Sequence, residues 1–150
     1  MRAPFQILAI PYRRVADLQF CVLRRADVDQ WQFVAGGGED NETPIEAAIR
    51  EISEETGIKT DSITKLTSMA YVPADVISEC HRKYWAKDTF VLPEYHFAFE
   101  CIPDIRLSDE HLDCEWLSYR DAMLYLTWDS NKTALYELNC RLLAERSYPY

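Results

Sequence analysis

Residues 36 to 58 constrain the fold of this chain most, because a run of three glycines leads directly into a helix with marked ends. The segment 43–46 reads Thr-Pro-Ile-Glu, a capping box with proline at the first helical position, and Gly57 follows the last turn as a C-terminal cap. These signals predict a helix over about residues 44–56. We expect it to pack on a sheet through an apolar stripe of Ile45, Ala48, Ile49 and Ile52.

Three glutamates give this helix a second, chemical face. Glu51, Glu54 and Glu55 stand at positions i, i+3 and i+4, so we expect them to form one outward patch of carboxylates. The carboxylates of such a patch repel one another unless a cation is bound. Hard oxygen ligands of this kind suit Mg²⁺ or Mn²⁺. Arg50 lies beside Glu51 and four residues before Glu54, where it can orient a carboxylate by a charge-assisted hydrogen bond.

The whole segment resembles the Nudix box, G-x5-E-x7-R-E-U-x-E-E-x-G-U with U aliphatic, at every fixed position. The matching residues are Gly36, Glu42, Arg50, Glu51, Ile52, Glu54, Glu55, Gly57 and Ile58. The resemblance implies a hydrolase of nucleoside diphosphates linked to another moiety, with Glu51, Glu54 and Glu55 as ligands of a divalent cation and Arg50 as orienter. A solvated acidic helix face is the alternative, but the glycines, the caps and the arginine together favour the Nudix interpretation.

Length and composition favour a single domain over residues 1–150. A chain of 150 residues is near the common domain size, and its 48% hydrophobic residues include no run long enough to span a bilayer. The five cysteines form no CxxC pair, which argues against a disulfide framework and a structural zinc site. We therefore expect reduced cysteines, a cytoplasmic location and no membrane partner.

The charge of the chain narrows the class of ligand. A formal net charge of −9 argues against a nucleic-acid partner, because an acidic protein repels polyanions. A small phosphate-bearing substrate would have to arrive with its metal, which supplies the positive charge that glutamates and phosphates both require.

Strand-like and helix-like segments alternate along the chain. Strands are predicted over residues 5–12, 18–23, 31–34, 63–72, 95–102 and 114–117, the first two as a hairpin. Beyond the box helix, a capping box at 118–121 opens a short helix to about residue 125, and a last helix covers about 130–146 with Leu135, Leu138, Leu142 and Leu143 on its packing side. This order predicts an α/β fold with helices on both faces of a sheet, and the Nudix resemblance sharpens it to an α/β/α sandwich with a mixed β-sheet.

Three stretches outside the box resemble the bacterial dihydroneopterin triphosphate pyrophosphohydrolases: Arg24-Arg25 with Trp31-Gln32, residues 110–117, and residues 126–131. The chain departs from that pattern at residues 36–40 and around Trp128. The resemblance implies cleavage of a pterin or nucleoside polyphosphate to a monophosphate and pyrophosphate. The alternatives are a dinucleoside polyphosphate or nucleoside triphosphate hydrolase, and a non-catalytic nucleotide-sensing module, which we would expect to have lost box glutamates.

A further carboxylate is implied at Glu110, in a loop far from the box. Glu110 could bind the metal or act as general base for the attacking water, with Asp109 and Glu115 as competitors and an exposed loop glutamate without a role as the alternative. The three histidines show no metal-ligand spacing, so we expect structural roles for them.

Substrate-binding residues are predicted at two further places. Residues 73–93 interrupt the strand pattern and place Arg82 and Lys83 among aromatic residues, which suggests a lid over phosphates and a base; a homodimer contact or an extended hairpin is the alternative. Near the glycines, Gly36 and Gly37 let backbone approach a ligand, and Trp31 is a candidate for the base pocket, although a strand tryptophan more often belongs to the core. The pyrophosphohydrolase resemblance adds Arg24.

Overall fold

The computed structural model describes residues 1–147, in which seven strands form one mixed sheet. The strands are β1 (Arg2–Arg14), β2 (Leu18–Arg25), β3 (Trp31–Gln32), β4 (Val34–Glu39), β5 (Thr64–Pro73), β6 (Val91–Glu100) and β7 (His111–Leu117). The helices are α1 (Pro44–Thr56), α2 (Glu79–Arg82), α3 (Tyr119–Tyr125) and α4 (Asp129–Ser147), with a 3-10 turn at Ala74–Val76. The predicted elements are therefore present, with some ends shifted by a few residues.

Strand β1 organises the sheet. It runs parallel to β6 and antiparallel to β2 and β4, and the strand order is β3-β2-β1-β6-β5, with β4 also on β1 and β7 also on β2. The β1–β2 pair is the predicted hairpin, with Tyr12 opposite Phe20.

Alternate residues of β1 enter two different hydrophobic cores, as expected for a sheet covered on both faces. Ile7 and Ala9 pack with the buried residues of α1, such as Ile52. Leu8 and Ile10 pack on the other side with residues of α3 and α4. The prediction of helices on both faces is thus confirmed.

The prediction that the strand over residues 31–34 ends before the three glycines is wrong. Strand β4 continues through the glycines to Glu39, and Gly36 and Gly37 pair with Ile7 and Gln6 of β1. Glycine is needed here because a Cβ at Gly36, Gly37 or Gly38 would overlap the side chain of Glu51, Arg2 or Phe5, respectively. The three glycines let side chains of α1 and β1 reach the backbone of the sheet.

Two apolar positions were wrongly placed in the core. Ile45 is 42% exposed, because the buried part of α1 begins only at Ala47. Leu143 is 46% exposed, whereas Leu135, Leu138 and Leu142 are buried as predicted. None of the helices within residues 1–147 combines the length and apolar character that a membrane span requires.

Candidate active site

Helix α1 is held on the sheet by Arg50, whose side chain donates hydrogen bonds to three carboxylates and to the glycine strand, β4, which carries the glycines of residues 36–38. Its Nε and Nη2 donate to the two oxygens of Glu42 at 2.8 and 2.9 Å, and Nη2 also donates to the carbonyl of Gly37 at 2.8 Å. Its Nη1 donates to Glu51 at 2.9 Å and to Glu54 at 3.2 Å. These bonds, those to Glu42 first, raise the pKa of Arg50, so it is a permanent cation that orients carboxylates.

The three box glutamates do not form the outward patch that their spacing predicted. Glu51 and Glu55 are 9% and 1% exposed, while the Glu54 side chain is 55% exposed. The physical reason is the glycine strand: the Glu51 carboxyl occupies the space that a Cβ of Gly36 would fill, and the backbone N–H of Ala35 donates to Glu55 at 3.2 Å. Two carboxylates therefore point at β4 rather than at solvent.

This burial makes the negative charge of the pair costly. Burial, followed by the charges of Glu51 and Glu110, raises the pKa of Glu55 to about 9. Burial also raises the pKa of Glu51 to about 7, against the opposing hydrogen bond from Arg50. One oxygen of Glu55, Oε1, is buried and has no hydrogen-bond partner in the described part of the chain.

A divalent cation fits this donor set, since it would supply the missing partner of Glu55 and offset the repulsion among hard carboxylate oxygens. Among residues 1–147, no three carboxylate, imidazole or thiol groups are already gathered around one metal position. The two carboxylates best able to complete such a site are Glu54 and Glu110, because both are exposed and can change rotamer.

The distant carboxylate Glu110 lies close to the box, as the sequence suggested. Together with Asp109, His111 and Glu55 it lines a cavity of about 400 Å³, and its charge contributes to the raised pKa of Glu55. Its other competitor, Glu115, lies along β7 and interacts with the phenol of Tyr125. The structure thus brings Glu110 and Asp109 to the site and leaves Glu115 outside it.

His111 is buried beside Glu55 without forming an ion pair. Its Nδ1 lies 3.5 Å from Glu55 Oε1, yet neither ring nitrogen has a hydrogen-bond partner within the residues that the structure describes. Burial, followed by the charge of Arg25, lowers the pKa of His111, so the imidazole is neutral at pH 7.

A second cavity, of about 480 Å³, adjoins the first, and the two share Arg25, Gln32 and Ala35 in their walls. This volume is typical of sites for small organic ligands. Its wall contains exposed aromatic side chains, Tyr71 on β5 and Trp128 just before α4. Aromatic faces of this kind can stack on a planar heterocycle.

One side of this second cavity is a connected polar network. Glu94, which is 3% exposed, accepts a hydrogen bond from Gln6 Nε2 at 2.9 Å and lies 2.9 Å from His96 Nε2. Ser68 Oγ lies 3.1 Å from His96 Nδ1 and extends the network to β5. The sequence signal that could have revealed it is the spacing of Glu94 and His96, two polar residues at alternate, core-facing positions of β6.

Of the substrate-binding residues predicted near the glycines, some lie at the larger cavity and one does not. Gly36 lines the larger cavity, and Gly37 lies under the Arg2 side chain. Trp31 packs edge-on against Tyr125, with ring centroids 5.3 Å apart, and does not line either cavity described above.

The positively charged side chains predicted to bind substrate lie away from the two cavities. Arg24 Nε pairs with Asp29 at 3.0 Å, Arg82 Nε donates to the carbonyl of Ile77 at 2.7 Å, and Lys83 Nζ lies 5.1 Å from the centroid of the Tyr84 ring. None of the three lines either of the two cavities. The segment 73–93 reaches the larger cavity through Pro73, Val76 and Ile77, which are apolar.

Comparison with known proteins agrees with this geometry. The family model for the NUDIX domain matches residues 8–138. Dihydroneopterin triphosphate diphosphatase of Escherichia coli (strain K12) is 30% identical over 139 residues, which cover 89% of this chain and 91% of the relative. The structure of the E. coli dihydroneopterin triphosphate pyrophosphohydrolase matches with a TM-score of 0.74 and 26% identity, over 92% of this chain and 97% of that one.

Two other matches extend the comparison. A NUDIX hydrolase from Listeria monocytogenes, known from its crystal structure, matches with a TM-score of 0.84 and 46% identity, over 95% of this chain and 97% of that one. A short match, 60% identical over 35 residues, covers 23% of this chain and 19% of an RNA pyrophosphohydrolase from Halorhodospira halophila. The expected α/β fold is confirmed, and members of this family generally depend on a divalent cation. The chain therefore belongs to the Nudix family of hydrolases, which act on acid anhydrides.

Proposed function

We propose that this Nudix hydrolase cleaves dihydroneopterin triphosphate to the monophosphate and pyrophosphate, with Mg²⁺ as its cation and Mn²⁺ as a substitute. The observation that carries the proposal is the adjacency of the buried carboxylates of α1 to a cavity of about 480 Å³. That cavity offers aromatic side chains for stacking and the Gln6–Glu94 pair for hydrogen bonds, as a polar heterocycle requires. The 30% identity to the E. coli diphosphatase supports the same substrate.

Glu51, Glu54, Glu55 and Glu110 would hold the cation. When bound, Mg²⁺ supplies the positive charge that positions the polyphosphate and offsets the charge developing on phosphorus. The raised pKa values of Glu51 and Glu55 fit this role, because both carboxyls need a cation to remain ionised in their buried positions.

The chain's own groups account for the remaining steps. Arg50 keeps Glu51 in place through the 2.9 Å hydrogen bond and ties α1 to the glycine strand. Glu110, exposed at the mouth of the smaller cavity, takes a proton from the attacking water as general base, with Asp109 as its competitor. Gly36 and Gly37 let the Glu51 carboxyl and the Arg2 side chain pack against the backbone of β4, next to the larger cavity.

The first test is product analysis by chromatography. The protein is incubated with Mg²⁺ and, separately, with dihydroneopterin triphosphate, a panel of nucleoside triphosphates and several dinucleoside polyphosphates, each with an EDTA control. Preferential release of pyrophosphate from the pterin supports the proposal. Preference for another substrate retains the Nudix chemistry and discards the pterin, and no cation-dependent cleavage of any compound would favour a nucleotide-sensing module.

Several features remain predictions of the sequence. They are substrate contacts from Arg24, Trp31, Arg82 and Lys83, a cytoplasmic location and a homodimer contact through residues 73–93. The substrate contacts can be tested alongside the panel by comparing KM values of single alanine variants.

A further inference from the structure

Arg2, at the start of β1, lines the larger cavity with a guanidinium group that is incompletely paired. Its Nε and Nη2 are buried, and neither has a hydrogen-bond partner among residues 1–147. These two nitrogens form one edge of the guanidinium, the pair that donates side by side to a carboxylate or a phosphate. Leaving both donors unpaired in a buried place is unfavourable, so an acceptor supplied by a ligand would stabilise this group.

The neighbouring chain holds Arg2 in this position. Trp85 Nε1 donates to the Arg2 carbonyl at 2.8 Å, and the Arg2 backbone lies opposite Glu39 of β4. The guanidinium lies where Gly37 has no side chain, since a Cβ there would overlap it. The orientation of Arg2 is therefore built into the strand pairing and into the glycine below it.

Charged groups of both signs surround Arg2. Burial lowers the pKa of Arg2, the charges of Glu51 and Glu39 oppose that shift, and the charge of Arg50 adds to it. Arg25, the other arginine in this wall, already donates to Asp27 at 2.9 Å, so its charge is partly neutralised. Arg2 also shares the cavity wall with Gly36, directly against which the Glu51 carboxyl packs.

We propose that Arg2 binds a phosphate group of the substrate in the bidentate manner, through Nε and Nη2. This places the polyphosphate along the glycine strand, beside the carboxylates of α1, and leaves the heterocycle for the part of the cavity lined by Glu94, Tyr71 and Trp128. The inference rests on the proposed function for a phosphate-bearing substrate, and it is independent of which heterocycle the cavity accepts.

The test compares Arg2→Met and Arg2→Lys with wild type, using methylenediphosphonate and Mg²⁺ in isothermal titration calorimetry. This probe has two phosphorus groups, no heterocycle and a P–C–P bridge that cannot be hydrolysed. We expect Arg2→Met to bind it about 10- to 100-fold more weakly, as for loss of a charge-assisted hydrogen-bonded pair, and Arg2→Lys to lose less. Arg120→Met, an exposed position on α3, is the charge-matched control and should bind as wild type.

Thermal unfolding without Mg²⁺ separates a ligand-binding role from a structural one. Removal of an unpaired buried cation should leave the Tm of Arg2→Met unchanged or higher. Unchanged affinity for the diphosphonate would overturn the proposal, and so would a joint loss of Tm and affinity, which would identify Arg2 as a structural counter-ion of Glu51. Failure to cleave the pterin would refute the proposed substrate without altering this result, whereas failure of wild type to bind the probe would refute the phosphate site itself.

Discussion

At the scale of single residues, the proposed cation ligand Glu55 lies in an environment that disfavours its charge. Its carboxyl is buried, one of its oxygens lacks a partner, and its pKa is raised to about 9. Glu55→Gln keeps the shape and removes the charge, so we expect the metal-free variant to unfold at the same or a higher temperature than wild type. We also expect kcat to fall on the order of 1,000-fold, because several kcal/mol of transition-state stabilisation depend on the cation.

Calorimetry and steady-state kinetics on the same preparations check this prediction. Glu54→Gln is the informative partner, since Glu54 is exposed and its removal should reduce kcat without raising the Tm. Near-wild-type turnover in both variants would mean that the cation is not held by these glutamates.

Glu110 carries a second residue-scale prediction. If it is the general base, Glu110→Gln should lower kcat about 100- to 10,000-fold with little effect on the Tm, because its side chain is exposed. Glu115→Gln is the matched control on the adjoining strand, outside the cavity. A similar loss of kcat in both variants would contradict the assignment to Glu110.

Apart from Glu110, which the family resemblance indicated, the residues of the site could be predicted from sequence only where they are close along the chain. The spacing of Glu51, Glu54 and Glu55 identified the chemistry, and capping signals identified the helix that carries it. Which glutamates are buried depends on β4, and that strand was not foreseen to run through the glycines. Arg2 and Glu94 could not be predicted as cavity residues, because they reach the cavity only through the pairing of β1 with β4 and β6.

At the scale of secondary structure, a carboxylate on α4 accepts hydrogen bonds from β5 where the pairing of β5 with β6 is interrupted. The pairing of β5 with β6 shifts register between Lys65 and Met69. In that interval the backbone N–H groups of Thr67 and Ser68 donate to the two oxygens of Glu137, each at 2.7 Å. Such a bond pattern cannot be read from sequence, because it joins residues about 70 positions apart that share no motif.

Glu137 should therefore make stability depend on pH. Burial alone would raise its pKa, but hydrogen bonds from Thr67, Ser68 and Arg141 outweigh it and lower the pKa to about 2, from an ordinary 4.5. Since the folded pKa is the lower one, the stabilisation is fully present above pH 4.5 and is lost as the pH falls toward 2. We expect Glu137→Gln to lower the unfolding free energy by about 2 kcal/mol at pH 7, and by less at pH 3.

Urea unfolding across this pH range measures the difference. Glu145→Gln is a control on the same helix, because its ion pair with Arg14 is exposed and should contribute less than about 1 kcal/mol. A wild-type to Glu137→Gln difference that stays constant from pH 7 to pH 3 would show that the hydrogen bonds do not depend on the ionised carboxylate.

At the scale of the whole molecule, the acidic chain should be stabilised by its own cofactor. A ligand that binds only the folded state adds about 2.7 kcal/mol at 100 times its Kd. We therefore expect Mg²⁺ to raise the Tm of wild type, and to raise it much less in Glu51→Gln. NaCl of equal ionic strength controls for general screening of the net charge of −9, and an equal rise with NaCl would argue against a specific site.

The architecture was the most predictable property of the molecule. Periodicity and caps located the main strands and helices, and their order required a sheet covered on both faces. The parallel pairing of β1 with β6 lies beyond such reasoning, because it joins the first strand to one more than 80 residues later. The single domain over residues 1–150 stays a prediction.

The glycine strand separates the part of the site proposed for hydrolysis from the wall proposed to select the heterocycle. Side chains from α1 and β1 fill the space at Gly36, Gly37 and Gly38, so a larger residue at any of these positions would displace the side chain that faces it. The opposite wall, with exposed Tyr71 and Trp128, has no comparable constraint. Laboratory evolution should therefore redirect this hydrolase toward new heterocycles through that wall, while its hydrolytic chemistry stays unchanged.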